Sequence, residues 1–113
     1  MLVRKLSKKE FPKALLEIPQ VPEQLFIIGD LPANDFIYLC VVGSRKNTSY
    51  GKEICEKIIA GLKGYSIVII SGFAVGIDTI AHKSAMRANL RTIVFPGSGL
   101  SKEVIFPRTN VNM

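Results

Sequence analysis

Two cations, Arg45 and Lys46, stand directly behind Gly43 and Ser44, and all four follow the apolar run FIYLCVV at 36–42. A chain does not pass from core to cation within three residues for packing alone. A guanidinium grips phosphate through two parallel hydrogen bonds or stacks on a base, and an ammonium adds a point charge. Ser49, Tyr50 and Gly51 close this loop, and the Tyr50 ring has a face on which a nucleobase can stack. A second stretch, SGFAVGID at 71–78, leads from one apolar segment straight into a helical pattern. There Ser71 offers a hydroxyl, Gly72 permits a tight turn, and Gly76 lets the helix begin close to a ligand or to the sheet. The first N–H groups of such a helix attract anions, helped by a helix dipole of about half a charge. Asp78 suits the first turn as a favourable charge on that dipole, or else fixes the geometry of the 43–45 loop. The chemistry expected of Gly43, Ser44, Arg45, Lys46, Ser49, Tyr50, Gly51, Ser71, Gly72, Gly76 and Asp78 is therefore phosphate binding.

Neither loop is a standard nucleotide fingerprint. The spacing from Gly72 to Gly76 is not G-x-G-x-x-G, and no Gly-Lys-Ser/Thr follows the second glycine as a Walker A loop requires. Catalytic groupings are missing too. His82 is the only histidine and has no Cys, His or carboxylate cluster around it in sequence, so it reads as a structural histidine. No Ser/His/Asp set has a visible orienting partner, and no paired carboxylates present themselves. No catalytic residue, metal site or cofactor is expected. Cys40 and Cys55 lack the paired spacing of a zinc site and read as two buried free thiols.

The elements that hold these loops are legible from periodicity. The continuously apolar run at 36–42 has the pattern of a strand covered on both faces. A helix follows over about 50–63, with Ile54, Cys55, Ile58, Ile59 and Leu62 on one stripe, and Gly64 ends it. SIVII at 66–70 is the next strand, and a helix over about 76–89 carries Ile77, Ile80, Ala81, Ser84, Ala85 and Ala88 on one face of mostly small residues. RTIVF at 91–95 completes a β-α-β-α-β order and runs into Pro96-Gly97-Ser98-Gly99. That order predicts an α/β fold, Rossmann-like, with three layers (α/β/α), a mainly parallel sheet and right-handed crossovers. All three strands end in glycine and a hydroxyl, so three loops meet along one sheet edge, where ligands bind in such folds. Residues 1–35 form a separate, Pro-rich lead-in with a short helix over about 11–18 and a short strand at 25–28, and 36–113 form the Rossmann-like unit.

Charge agrees with an anionic partner. Lys and Arg number 15 against 9 acidic residues, a formal net charge of +6 over 113 residues. A basic surface admits polyanions without selecting one. The first 17 residues are basic and interrupted, unlike a signal peptide, and no stretch reaches the roughly 20 apolar residues needed to span a bilayer. A soluble, cytoplasmic protein without membrane contact is expected.

The pairing of GSRKNTSYG (43–51) with SGFAVGIDTIAHKSAM (71–86), followed by RTIVFPGSGL (91–100) and FPRTN (106–110), closely resembles DNA-processing protein A, the DprA/Smf family. That family carries a G-[ST]-R-x-x-[ST]-x-Y-G loop and an S-G-x-A-x-G-I-D-x-x-A-H helix start at this separation. The lead-in EFPKALLEIPQVPEQLFIIGDL (10–31) is similar as well, so the likeness covers about residues 10–110. It implies an extended Rossmann-like domain that binds single-stranded DNA and hands it to the RecA recombinase, in DNA uptake and recombination, without chemistry of its own. Family members continue well past the FPRTN segment, so the sheet is expected to be incomplete, with apolar edge surface that favours self-association. Gly97-Ser98-Gly99 replaces the family's Gly-Cys-Gly, and Phe106 stands for a common Tyr. Two other readings stay open. One is a nucleotide-binding phosphoribohydrolase of the LOG type, against which Pro96-Gly97-Ser98-Gly99 lacks the following Thr and Glu. The other is a remnant without function.

Overall fold

The structure, a computed structural model, describes residues 3–32 and 35–97. The chain divides into two compact units, 1–34 and 35–113. Gly99 and the segments 101–105 and 106–110 lie outside the described residues.

In the first unit, β1 (Val3–Lys5) pairs antiparallel with β2 (Phe26–Ile28), with Arg4 opposite Ile27. Between them come a short 3-10 helix (Lys8–Glu10) and the single turn α1 (Lys13–Leu16). The sequence pattern placed α1 and β2 but not β1, because three residues with two cations carry no strand signal. The Glu10 carboxylate accepts from the Ser7 N–H and hydroxyl, both at 3.1 Å, and from Arg4 at 2.9 Å. The Arg4 hydrogen bond, followed by the two from Ser7, holds the Glu10 carboxyl below the usual carboxylate range.

The second unit is the expected alternation: β3 (Ile37–Cys40), α2 (Ser49–Ala60), β4 (Ile67–Ser71), α3 (Ile77–Arg87) and β5 (Arg91–Val94). The sheet is parallel with order β3-β4-β5, so β4 is central. Val68 and Ile69, which point to opposite faces of β4, are both fully buried. Ile69 packs in one core with Cys55 and Ile59 of α2, Ala81 and Ala85 of α3, and Ala88 and Leu90 beyond it. The alanines let α3 lie close to both α2 and the sheet.

Helix limits follow local chemistry. Thr48 caps α2 by accepting the Gly51 N–H at 3.0 Å. Asn89, with φ +57°, turns the chain out of α3 in the left-handed region, and the Leu90 N–H returns to the Ala85 carbonyl at 2.9 Å. Gly64 has the positive φ expected, +92°, although α2 proper stops at Ala60.

Two expectations fail on β3. The 36–42 run is not a strand covered on both faces: Ile37 is 66% exposed, Val42 69%, and Tyr38, Leu39 and Cys40 are exposed as well. It pairs on one side with β4, and a continuous apolar run does not reveal whether a strand is central or at an edge. For the same reason Cys40 is an exposed thiol, whereas Cys55 is buried as expected. Ile58, assigned to the buried stripe of α2, is also 57% exposed. Among the described residues no helix is long and apolar enough to cross a membrane.

Candidate functional site

The carboxyl ends of β3, β4 and β5 are tied together before any ligand is considered. The Ser71 hydroxyl, at the end of β4, donates to the Val41 carbonyl just beyond β3, and the Phe95 N–H donates to the Ser71 carbonyl at 2.9 Å. Ser71 is 2% exposed, so its hydroxyl joins strand ends and does not face solvent, contrary to the phosphate role expected for it.

The loops above these ends interlock. The Ser44 carbonyl accepts the Ile77 N–H, the first of α3, at 3.1 Å. Gly76 has φ +85°, and a β-carbon built there would run into the Ser44 carbonyl and lie 2.7 Å from the Arg45 backbone. A β-carbon on Gly43 would lie 2.7 Å from the Ile77 side chain, and one on Gly72 would lie 2.7 Å from Asp78 Oδ2. These glycines permit loop-to-loop and loop-to-helix contact. Of the N–H groups expected to face an anion at the start of α3, that of Ile77 is already taken, and Gly76 approaches protein backbone. The buried Asp78 carboxylate abuts Gly72.

One helical turn after Asp78, His82 continues the same face of α3. It is 1% exposed, with Nε2 2.7 Å from the Gly72 carbonyl and Nδ1 2.6 Å from the Thr92 hydroxyl of β5. Burial pulls its pKa below 6.5, opposed by the Gly72 carbonyl, Asp78 and the Ser71 backbone. Both ring nitrogens are thus engaged inside the protein.

Arg45, Gly72, Phe73, Ala74, Val75, Asp78, Phe95 and Gly97 surround a cavity of about 520 Å³ at this edge. Arg45 is the cation on its wall, and Phe95 is 57% exposed. Of the expected residues, the structure brings Arg45, Gly72 and Asp78 to this cavity. Gly43, Ser44 and Gly76 support the wall from behind. Lys46, Ser49, Tyr50 and Gly51 are not among its lining. The Lys46 N–H turns back to Ser44 Oγ at 3.0 Å, and Tyr50, 72% exposed, sits on the outer first turn of α2. The sequence reading missed the two rings, Phe73 and Phe95. The signal was there: each follows a strand end by one or two residues, which is where this topology places ligand contacts. Among the described residues no cluster of His, Cys, Asp and Glu is arranged to hold a metal ion.

Comparison with known proteins agrees with this fold. The family described as DNA recombination-mediator protein A matches residues 3–113. The chain is similar to the DNA processing protein DprA of Streptococcus pneumoniae, 41% identical over 88% of this chain and 34% of that protein. It is similar to the Escherichia coli protein Smf, 36% identical over 91% of this chain and 27% of that protein. The crystal structure of the pneumococcal DprA superposes with a TM-score of 0.84 at 37% identity, over 96% of this chain and 38% of that one. A Helicobacter pylori DNA processing protein A, whose structure concerns its single-stranded DNA binding mode, superposes with a TM-score of 0.80 at 28% identity, over 96% of this chain and 48% of that one. The chain thus spans about a third or less of the length of these two sequence relatives.

Proposed function

The chain belongs to the DNA recombination-mediator protein A family, and from that premise we propose that it binds single-stranded DNA in the crevice above β3, β4 and β5. The observation that carries this reading is the cavity itself: one guanidinium, Arg45, with two phenylalanine rings, Phe73 and Phe95, on a single wall system. A guanidinium takes a backbone phosphate, while aromatic rings such as the half-buried Phe73 and the exposed Phe95 accept bases of any sequence by stacking, worth about 1–3 kcal/mol per base. The net charge of +6 adds a nonspecific attraction that weakens with salt. The Helicobacter pylori relative, described by its single-stranded DNA binding, supports the choice of ligand.

Binding without catalysis is the matching proposal. His82, the one histidine, has both ring nitrogens engaged inside the protein, which supports a scaffold role over an acid–base one. We further propose, on the family resemblance, that the protein acts in the cytoplasm in DNA uptake and recombination, with the bound strand passed to the RecA recombinase. We also propose self-association of this chain along β3, supported by the exposed Ile37 and Val42 on a strand that pairs only with β4 among the described residues. Fluorescence anisotropy with a labelled single-stranded oligonucleotide tests the central reading, with Phe73→Ala and Phe95→Ala expected to weaken binding several-fold. Unaltered affinity in both variants would remove the stacking role.

A further inference from the structure

The 72–76 loop is pinned from one side by three residues from two successive turns of α3. Asp78 abuts Gly72, the Thr79 hydroxyl donates to the Ala74 carbonyl at 2.8 Å, and His82 reaches the Gly72 carbonyl at 2.7 Å. His82 also reaches across the sheet. Its Nδ1 meets Thr92 Oγ1, which in turn lies 3.0 Å from the Ile69 carbonyl of the central strand. A chain of polar contacts thus runs from the buried middle of β4, through β5 and α3, to the peptide group that opens the loop.

Proton counting fixes the roles in this chain. A carbonyl can only accept, so Nε2 carries a hydrogen and donates to Gly72. In the neutral ring Nδ1 then accepts, and the single Thr92 hydroxyl hydrogen points to it. The Ile69 carbonyl keeps its ladder partner and does without Thr92 in that state. If the ring gains a second proton, Nδ1 donates to Thr92 Oγ1 and the Thr92 hydrogen swings to Ile69. The bond to Gly72 survives in both states, so its function is positional.

We propose that His82 is a positioning residue for the crevice: through Nε2–H it holds the Gly72 carbonyl and so sets the path of 72–76 that presents Phe73 beside Arg45. This rests on reading the crevice as the DNA site. Ordinary packing does not require the arrangement, since a leucine of similar size would fill the space without reaching the loop.

The test separates the two ring nitrogens. Glutamine carries its amide nitrogen to roughly the place of Nε2, and asparagine to that of Nδ1. His82→Gln therefore keeps the link to Gly72, whereas His82→Asn keeps only the link to Thr92. Two measurements are made on the wild type and both variants: nitrogen-15 relaxation of the backbone at 72–76 together with the Phe73 amide shift, and anisotropy with a single-stranded oligonucleotide. The expected result is a wild-type-like loop and affinity in His82→Gln. In His82→Asn the loop should gain fast motion and the affinity should fall several-fold, with far-ultraviolet circular dichroism unchanged. A rigid, unshifted loop in His82→Asn overturns the inference. So does a loosened loop with full affinity, or a His82→Gln protein that behaves like His82→Asn. If the wild type binds no oligonucleotide while the loop responds as stated, the DNA reading falls and the positioning of the loop stands.

Discussion

The Ser44 carbonyl accepts the N–H of Ile77 at 3.1 Å, which joins the loop after β3 to the first residue of α3 directly across Gly76. The bond and the close approach of Gly76 tie the two loops together. Arg45, next in the chain, lines the crevice from this joined loop. The arrangement works because Gly76 has no side chain and adopts φ +85°.

Gly76→Ala should therefore separate the loops. The new methyl group meets Ser44 and Arg45 backbone, which cannot rotate away as a side chain tip would. Overpacking of this kind costs about 1–3 kcal/mol, to which the strained φ adds. Urea melts should show that loss, circular dichroism should show retained helices, and oligonucleotide affinity should drop several-fold. A variant of wild-type stability would mean that the Ser44–Ile77 link is dispensable.

Much of this was legible beforehand, and the limits have physical reasons. The β-α-β-α-β order and Arg45 followed from hydrophobic periodicity and from a cation set behind a glycine. What the spacing could not show was which atoms approach each glycine. Gly43, Gly72 and Gly76 meet Ile77, Asp78 and the Ser44–Arg45 backbone, contacts that exist only after long-range folding. Ser71 misled for the same reason, as its hydroxyl is used by a carbonyl thirty residues away in sequence. The exposure of β3 was hidden because apolar runs look alike in central and edge strands. Strand β1 gave no signal, since its pairing with β2 holds three residues that are all exposed.

His82 makes stability depend on pH with a definite sign. Burial is the first cause of its lowered pKa, so the native state binds a proton less readily than the unfolded chain. Its contribution is full above the ordinary value of 6.5 and is lost as pH falls from there toward the lower native value. Wild-type stability should decline between pH 7 and pH 5 relative to His82→Gln, which has no titrating ring. Parallel curves for the two proteins would contradict this.

The two thiols should differ in reactivity. Cys40 is exposed, whereas Cys55 is buried and its thiol is pushed up, first by burial and then by Glu56. A thiol reagent such as dithionitrobenzoate should modify one cysteine rapidly in the native protein and the second only on unfolding. Rapid modification of both would mean that α2 does not seal against Ile69 as described.

Self-association along β3 should respond to a charge on that strand. Leu39→Lys places an ammonium on an exposed edge position, a common natural device against strand pairing. Sedimentation velocity at tens of micromolar should show the wild type heavier than a monomer and the variant shifted toward it. A monomeric wild type would remove the proposal.

The central claim, that Arg45 and its crevice hold single-stranded DNA, is tested most directly by measuring oligonucleotide affinity of wild type and Arg45→Ala across a salt series. Arg45 is exposed and makes little contribution to folding, so the thermal midpoint should be nearly unchanged. The account predicts several-fold weaker binding and a log–log salt slope smaller by about one, the loss of a single phosphate contact. Equal affinity and equal slope in the two proteins would contradict it.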